Sequence, residues 1–231
     1  MSGDSPNVRL VSVTQSDIND RTTNLASAES LIAYTARVSN PQGQMNNETA
    51  PKLLAYLIKN KHWSPFEMVS MCVEIHTSRA VAQQILRHRS FSFQEFSLRY
   101  AKATEILEYP ARRQDVHNRQ NSIDDLTQAD KDWFAEAQKE VATRSLTLYD
   151  EALARGIAKE QARFLLPLAT ATTLYVSGTA RSWITYFLVR MEKVTQLEHR
   201  EIAKECFGVF STQFPITTEV LKSIYPEVFN G

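Results

Sequence analysis

Residues 87 to 100 read Arg87-His88-Arg89-Ser90-Phe91-Ser92-Phe93-Gln94-Glu95-Phe96-Ser97-Leu98-Arg99-Tyr100, placing three guanidinium groups, an imidazole and three serine hydroxyls in one short aromatic segment. No other stretch of the chain is as dense in anion-binding groups. Guanidinium forks grip phosphates and carboxylates through paired, charge-assisted hydrogen bonds, so the segment points to a phosphorylated ligand. The glycines, at 3, 43, 156, 178, 208 and 231, write neither a dinucleotide fingerprint nor a phosphate loop, so any nucleotide must be held by side chains. The histidines at 62, 76, 88, 117 and 199 form no pair four apart on a helix and no histidine-aspartate doublet, which argues against a zinc hydrolase and requires no metal. No Gly-x-Ser-x-Gly elbow is present. Cys72 and Cys206 sit in apolar contexts far apart in sequence, form no paired ligand spacing, and read as reduced core thiols, so covalent nucleophilic catalysis is not expected.

The elements that must position this segment follow from capping and periodicity. Ser78 can cap a helix carrying Val81 and Ile85, with Gln84, Arg87 and His88 sharing another face by their three- and four-residue spacings. Val8 to Val13 is a β-rich run. Glu67 to His76 alternates Val69, Met71, Val73 and Ile75 against Met68, Ser70, Cys72 and Glu74, and both runs are expected in one sheet. Between them, Ser27 can cap a helix through Arg37. Thr49 can cap another, with Pro51 in its first turn and Leu53, Leu54, Leu57 and Ile58 facing a core, before a turn at His62-Trp63-Ser64-Pro65. The polar stretch from Tyr109-Pro110 to Asp125 predicts a surface loop or lid. From Thr127, the residues Phe134, Ala137, Val141, Leu148 and Ala152 mark a long amphipathic helix that Gly156 can end, and a short helix stops near Pro167. A last helical region is expected from about Thr179 to Phe207. Arg181 and Arg190, nine residues apart, would lie on opposite sides of a straight helix, about 13 Å apart along its axis, so they should serve separate ligands or subunits.

The 231 residues, 43% hydrophobic and 23% charged, suffice for one globular domain over 1–231 with a full core. Lysine and arginine number 26, matching 26 aspartate and glutamate, so no global positive field recruits nucleic acid or a membrane. No apolar stretch approaches the ~20 residues of a membrane span, and the first residues lack a leader pattern, so a soluble, intracellular, cytoplasmic protein is expected. A competing reading, a nucleic-acid module gripping phosphates with Arg87, Arg89 and Arg99 and stacking bases on Phe91, Phe93 and Phe96, is disfavoured by the zero net charge.

Arg87-His88-Arg89, seven residues, then Ser97-Leu98-Arg99-Tyr100 resembles the signature of flavin-dependent thymidylate synthases, which methylate dUMP using FAD. Further landmarks follow in the family's order: Ala36-Arg37-Val38-Ser39, His62 with Ser64-Pro65-Phe66-Glu67, Arg163 with Leu166-Pro167, Ala180-Arg181-Ser182, and Arg190 with Gln196 and Glu198. The resemblance covers most of the chain. It implies an α+β fold of helices on a central antiparallel sheet, and a homotetramer whose active sites are shared between subunits.

The resemblance also implies roles. Arg87, His88 and Arg89 would bind FAD, with further flavin contacts from Ser64, Glu95, Thr179, Ala180, Arg181 and Thr185. Gln84, Arg87, Glu95, Phe96, Ser97, Leu98, Arg99 and Arg163 would surround dUMP. Arg190 would face the uracil edge and favour ionisation at N3, making it the expected catalytic residue, with no cysteine nucleophile. 5,10-Methylenetetrahydrofolate would be the carbon donor and NADPH the reductant. One departure stands out: many members carry asparagine where this chain has Thr179 and Thr185, and a hydroxyl cannot supply an amide's separate donor and acceptor.

Overall fold

A computed structural model describes residues 7–20, 23–25 and 27–229. Its centre is an antiparallel sheet of strands β1 (Val8–Val13), β2 (Ser70–Ser78), β3 (Ser92–Glu95) and β4 (Ala171–Thr179), in the order β1-β2-β4-β3. The long pair β2 and β4 runs in unbroken register from Ser70 opposite Thr179 to Ser78 opposite Ala171. The β1–β2 pairing is interrupted by an irregularity between Leu10 and Ser12. The expected alternation is present: Val69, just before β2, and Met71, Val73 and Ile75 within it are buried, as are Leu174 and Val176 of β4 on the same face. That face carries the helices, so the architecture is α+β.

Around it lie α1 (Ala28–Ala36), α2 (Ala50–Lys59), α3 (Arg79–Ile85), α4 (Gln128–Ala154), α5 (Ala180–Arg190), α6 (Leu197–Gln213) and α7 (Pro215–Ile224). Ser27, Ser78 and Thr127 cap α1, α3 and α4, each accepting a backbone N–H with its hydroxyl. Thr49 departs from expectation. It stands at the start of α2 without capping it, because its hydroxyl accepts from Arg37 Nη2 at 2.8 Å instead. The helix α7 is stitched to α1 by the buried Glu29 carboxylate, which accepts the first N–H groups of α7 from Ile216 and Thr217.

Several boundaries differ from the sequence reading. Glu67 ends a 3-10 turn that starts at Ser64, and β2 begins only at Ser70. The helix α3 stops at Ile85, so Arg87 and His88 lie in the turn beyond it and not on its face. The helical region expected from about Thr179 to Phe207 holds two helices, α5 and α6, separated by residues 191–196, whereas β3 and β4 have no counterpart in the sequence reading. The helix α4 has the expected limits, and Gly156 follows it with φ +82°, a left-handed conformation that suits glycine. Its expected apolar face is only partly covered: Ala152 is buried, beside Tyr149, which lies outside that pattern, but Phe134 is 37% and Val141 52% exposed. A second small core of Leu98, Ala103, Tyr149, Ala152 and Ala162 holds the end of α4.

The stretch from 110 to 125 is a surface segment with internal structure. Arg113–Gln114 pairs with Ser122–Ile123, Arg113 forms a two-pronged ion pair with Asp125, and Asp115 accepts the N–H groups of His117 and Asn118. Gln138 of α4 brackets Tyr109, donating to its carbonyl and accepting its N–H.

Candidate active site

The turn after α3 is fixed from below. Phe91 packs 4.5 Å, centroid to centroid, from Trp183 of α5, and the Ser182 hydroxyl donates to the Ser90 carbonyl at 3.1 Å. Gly178 of β4 makes this possible, since a Cβ there would lie 2.2 Å from the Phe91 ring. Trp183 is itself anchored, its indole N–H donating to the Met71 carbonyl at 3.0 Å. The chain from Arg87 to Ser90 is thereby pressed against the corner where β4 becomes α5.

His88 and Arg190 meet beside that corner, with Gln84 linked to them by way of His199. Arg190 Nε donates to His88 Nε2 at 2.7 Å. Because a guanidinium only donates, this nitrogen of His88 carries no proton. Burial and the neighbouring Arg190 charge push the His88 pKa down to about 4, so the ring is a neutral acceptor at physiological pH. Its edge meets the buried Tyr186 ring at 4.9 Å. Behind it, His199 Nδ1 lies 3.2 Å from Gln84 Oε1 and His199 Nε2 lies 3.2 Å from the Tyr186 hydroxyl. Burial, with Arg190 and His88 nearby, lowers the His199 pKa to about 3. Gln84 Nε2 donates to Gln196 Oε1, Gln196 Nε2 donates to Glu198 Oε2 at 2.9 Å, and Glu198 closes a largely buried ion pair with Arg112. Tyr186, His199 and Arg112 were not among the expected site residues. Their partners lie far away in sequence, and no local pattern marks them.

A second group follows β3. The Glu95 carboxylate accepts from Arg79 Nη1 at 3.1 Å and from the Thr172 hydroxyl at 2.9 Å, while Arg79 Nη2 donates to the Phe96 carbonyl. Arg79 directly follows the Ser78 cap, and Thr172 faces inward on β4; neither was singled out from sequence. Phe96 is 39% exposed. Ser97 Oγ accepts the Arg99 N–H, Leu98 is buried in the small core, and both Arg99 and Arg163 engage Glu160, the first through its carboxylate and the second through its carbonyl.

A third group lies at the start of α5. Thr179 caps the helix by accepting the Ser182 N–H at 3.2 Å, so its hydroxyl is committed within the chain. Ala180 is fully buried and gives its N–H to the Val69 carbonyl, leaving no side-chain surface for a ligand. Arg181 pairs with Glu67, and the exposed Thr185 hydroxyl donates back to the Arg181 carbonyl. Ser64 is exposed in the neighbouring 3-10 turn. As expected, Arg181 and Arg190 have separate surroundings. Arg87 and Arg89 are exposed, and no side-chain hydrogen bond or ion pair engages either among the described residues.

The thiols are poor nucleophiles. Cys206 is fully buried and burial drives its pKa upward, and burial raises Cys72 as well. A cleft of about 910 Å³ opens beside the polar chain, lined by Tyr109, Arg112, Trp133, Phe134, Gln196 and Glu198 among others.

Residues 22–216 match the family described as thymidylate synthase complementing protein. A flavin-dependent thymidylate synthase of Synechocystis is 55% identical over 93% of this chain and 99% of its own length. A probable flavin-dependent thymidylate synthase of Paramecium bursaria Chlorella virus 1 is 50% identical over 92% of this chain and 97% of its own. Among solved structures, a UMP/dUMP methylase of Streptomyces cacaoi bound with 5-Br dUMP superposes with a TM-score of 0.77 over 94% of each chain at 24% identity, which establishes the shared fold.

Proposed function

Since the chain belongs to the thymidylate synthase complementing family and is an enzyme of the flavin-dependent thymidylate synthase class, we propose that it converts dUMP to dTMP. FAD is the bound cofactor, 5,10-methylenetetrahydrofolate the carbon donor and NADPH the reductant. The Arg190–His88 contact supports this reading most directly. A neutral imidazole that takes Nε–H leaves both terminal nitrogens of a permanently charged guanidinium for a ligand, which suits the stabilisation of charge developing on uracil at N3. Arg190 does this without changing protonation state.

The donor set fits a flavin dinucleotide. In a chain without a glycine-rich cradle, the exposed and unengaged guanidinium groups of Arg87 and Arg89 provide the paired hydrogen bonds a pyrophosphate needs. Ser64, His88, Glu95, Thr179, Ala180, Arg181 and Thr185 complete the proposed flavin set, with Ala180 offering only backbone because its side chain is buried. Gln84, Arg87, Glu95, Phe96, Ser97, Leu98, Arg99 and Arg163 surround dUMP with Arg190, Leu98 through its backbone. When bound, the flavin supplies hydride transfer. The protein residues bind the two anions, orient the rings and polarise uracil. Neither thiol takes part, consistent with the upward shifts of Cys72 and Cys206.

The single domain works as a cytoplasmic homotetramer, in the host cytoplasm if its source is a virus, with sites shared between subunits and without nucleic-acid or membrane partners. No described helix is long and apolar enough to cross a membrane. The separation of the expected residues into three hydrogen-bonded groups supports shared sites. Anaerobic incubation of FAD-loaded protein with dUMP, methylenetetrahydrofolate and NADPH should yield dTMP. A preparation unable to take up FAD, or one that holds FAD and forms no dTMP, overturns the reading. The double variant Cys72→Ser, Cys206→Ser should keep turnover, and a folded but inactive double variant would restore a thiol mechanism.

A further inference from the structure

The 110–125 segment has no role in the reaction as proposed, yet one of its side chains is buried against the site. Arg112 and Glu198 are each only 12% exposed, and Arg112 Nε also donates to Ser122 Oγ at 2.8 Å within the segment. Burial disfavours the Glu198 carboxylate, but hydrogen bonds from Arg112 and Gln196, its own backbone N–H and the Arg112 charge together hold its pKa below the ordinary range. Glu198 is therefore an acceptor only.

That single charge dictates the orientation of every group behind it. Facing a carboxylate, Gln196 must present its amino end and turn its oxygen toward Gln84. Gln84 must then donate through its own amino group, which turns its oxygen toward His199. His199 must carry its proton on Nδ1, and its bare Nε2 must accept the Tyr186 hydroxyl proton. The alternative amide orientation would bring two acceptors together at Glu198 and leave the Gln196 amino group facing that of Gln84. Gln84 retains one N–H and one oxygen lone pair for a ligand, in a fixed arrangement.

We infer that Arg112 is a positioning residue for substrate recognition: by gripping Oε1 of the Glu198 carboxylate it holds Oε2 toward Gln196, and so sets through Gln196 which edge of the Gln84 amide faces the nucleotide base. This rests on the reading above, in which Gln84 lies beside dUMP. A base edge such as uracil's presents donors and acceptors in fixed order, so an amide free to flip would meet it correctly only part of the time. The polar segment thus acts on specificity without touching substrate, as the outer brace of a side-chain chain that ends at the ligand.

The test compares Arg112→Met, Arg112→Lys, Gln84→Ala and the Arg112→Met, Gln84→Ala double variant as FAD-loaded proteins of unchanged circular dichroism. Arg112→Met should weaken equilibrium dUMP binding and raise its KM about tenfold while kcat falls less than threefold, and Arg112→Lys should recover part of the loss. In the Gln84→Ala background, Arg112→Met should add nothing. With ¹⁵N-histidine labelling, the His199 ring should report a Nδ1-protonated tautomer in the parent and a mixture in Arg112→Met, without any ligand. Unchanged dUMP binding in folded Arg112→Met, or effects of the two substitutions that multiply, overturns the proposal. Should Arg112→Met fail to fold, Gln196→Met breaks the same chain at an exposed residue and leaves the ion pair, with the same expectation and the same overturning results. A parent enzyme that does not bind dUMP overturns the site reading and this role with it, whereas a parent that binds dUMP beside an indifferent Arg112→Met overturns this role alone.

Discussion

Arg190 and His88 form a pair whose value depends on which one gives a proton and which one accepts it. The guanidinium cannot accept, so His88 must, and its low pKa keeps it able to do so throughout the physiological range. Arg190→Ala should therefore abolish dTMP formation, by at least a thousandfold, while the flavin absorbance of the purified protein persists; a variant with substantial turnover would remove Arg190 from the chemistry. The same histidines make a prediction about stability. His88 and His199 have folded pKa values of about 4 and about 3, below the ~6.5 of an unfolded histidine, so the unfolded chain binds more protons in between. Their contribution is full above about pH 6.5 and is lost as pH falls toward 4 and then 3. Thermal unfolding followed from pH 7.5 to 4.5 should show a falling melting temperature, and replacing His199 with glutamine should flatten part of that slope. A parent whose melting temperature stays level across this range would contradict the burial of both rings as neutral groups.

At the scale of elements, the site depends on one tight corner. Gly178 in β4, Phe91 in the turn after α3 and Trp183 in α5 interlock so closely that an added methyl has no room. Gly178→Ala should displace Phe91, destabilise the fold by about 1–3 kcal/mol in denaturant titrations, and weaken FAD retention because Arg87 and Arg89 ride on the same turn. Unaltered stability and flavin content would show that the turn can shift without consequence. The capping serines and the alternation of β2 were legible because their causes are local, a hydroxyl three residues from an N–H and a two-residue pleat. The strand β4 was not recognised although Thr172, Leu174 and Val176 alternate inward, since threonine reads as polar in isolation and is buried here only by pairing with β2. The end of α3 was misplaced for a similar reason. Spacing alone continues the helix through His88, whereas the contact of Phe91 with α5 bends the chain away.

For the whole molecule, α4 is the element least explained by one chain. About 40 Å long by its 27 residues, it buries only Tyr149 and Ala152 and leaves Trp133 70% and Val141 52% exposed. The proposed shared-site tetramer would account for such a surface, since exposed apolar side chains in a row on one helix favour burial against another subunit. Light scattering should find four times the 26.3 kDa of a single chain. The double variant Trp133→Glu, Val141→Glu should give smaller species with reduced dTMP formation. A tetramer unchanged by both substitutions would place the interface elsewhere. By itself the sequence determined the class of chemistry, because the Arg87–Tyr100 spacing, the scarcity of glycine and the isolated cysteines are properties of the chain whatever its shape. Only the tertiary structure decided which of those groups are free and in what protonation state. His88 meets Arg190 across 102 residues and His199 meets Gln84 across 115; whether a nitrogen accepts or donates is set by such a distant partner and by the loss of water around it, neither of which a local stretch of sequence contains.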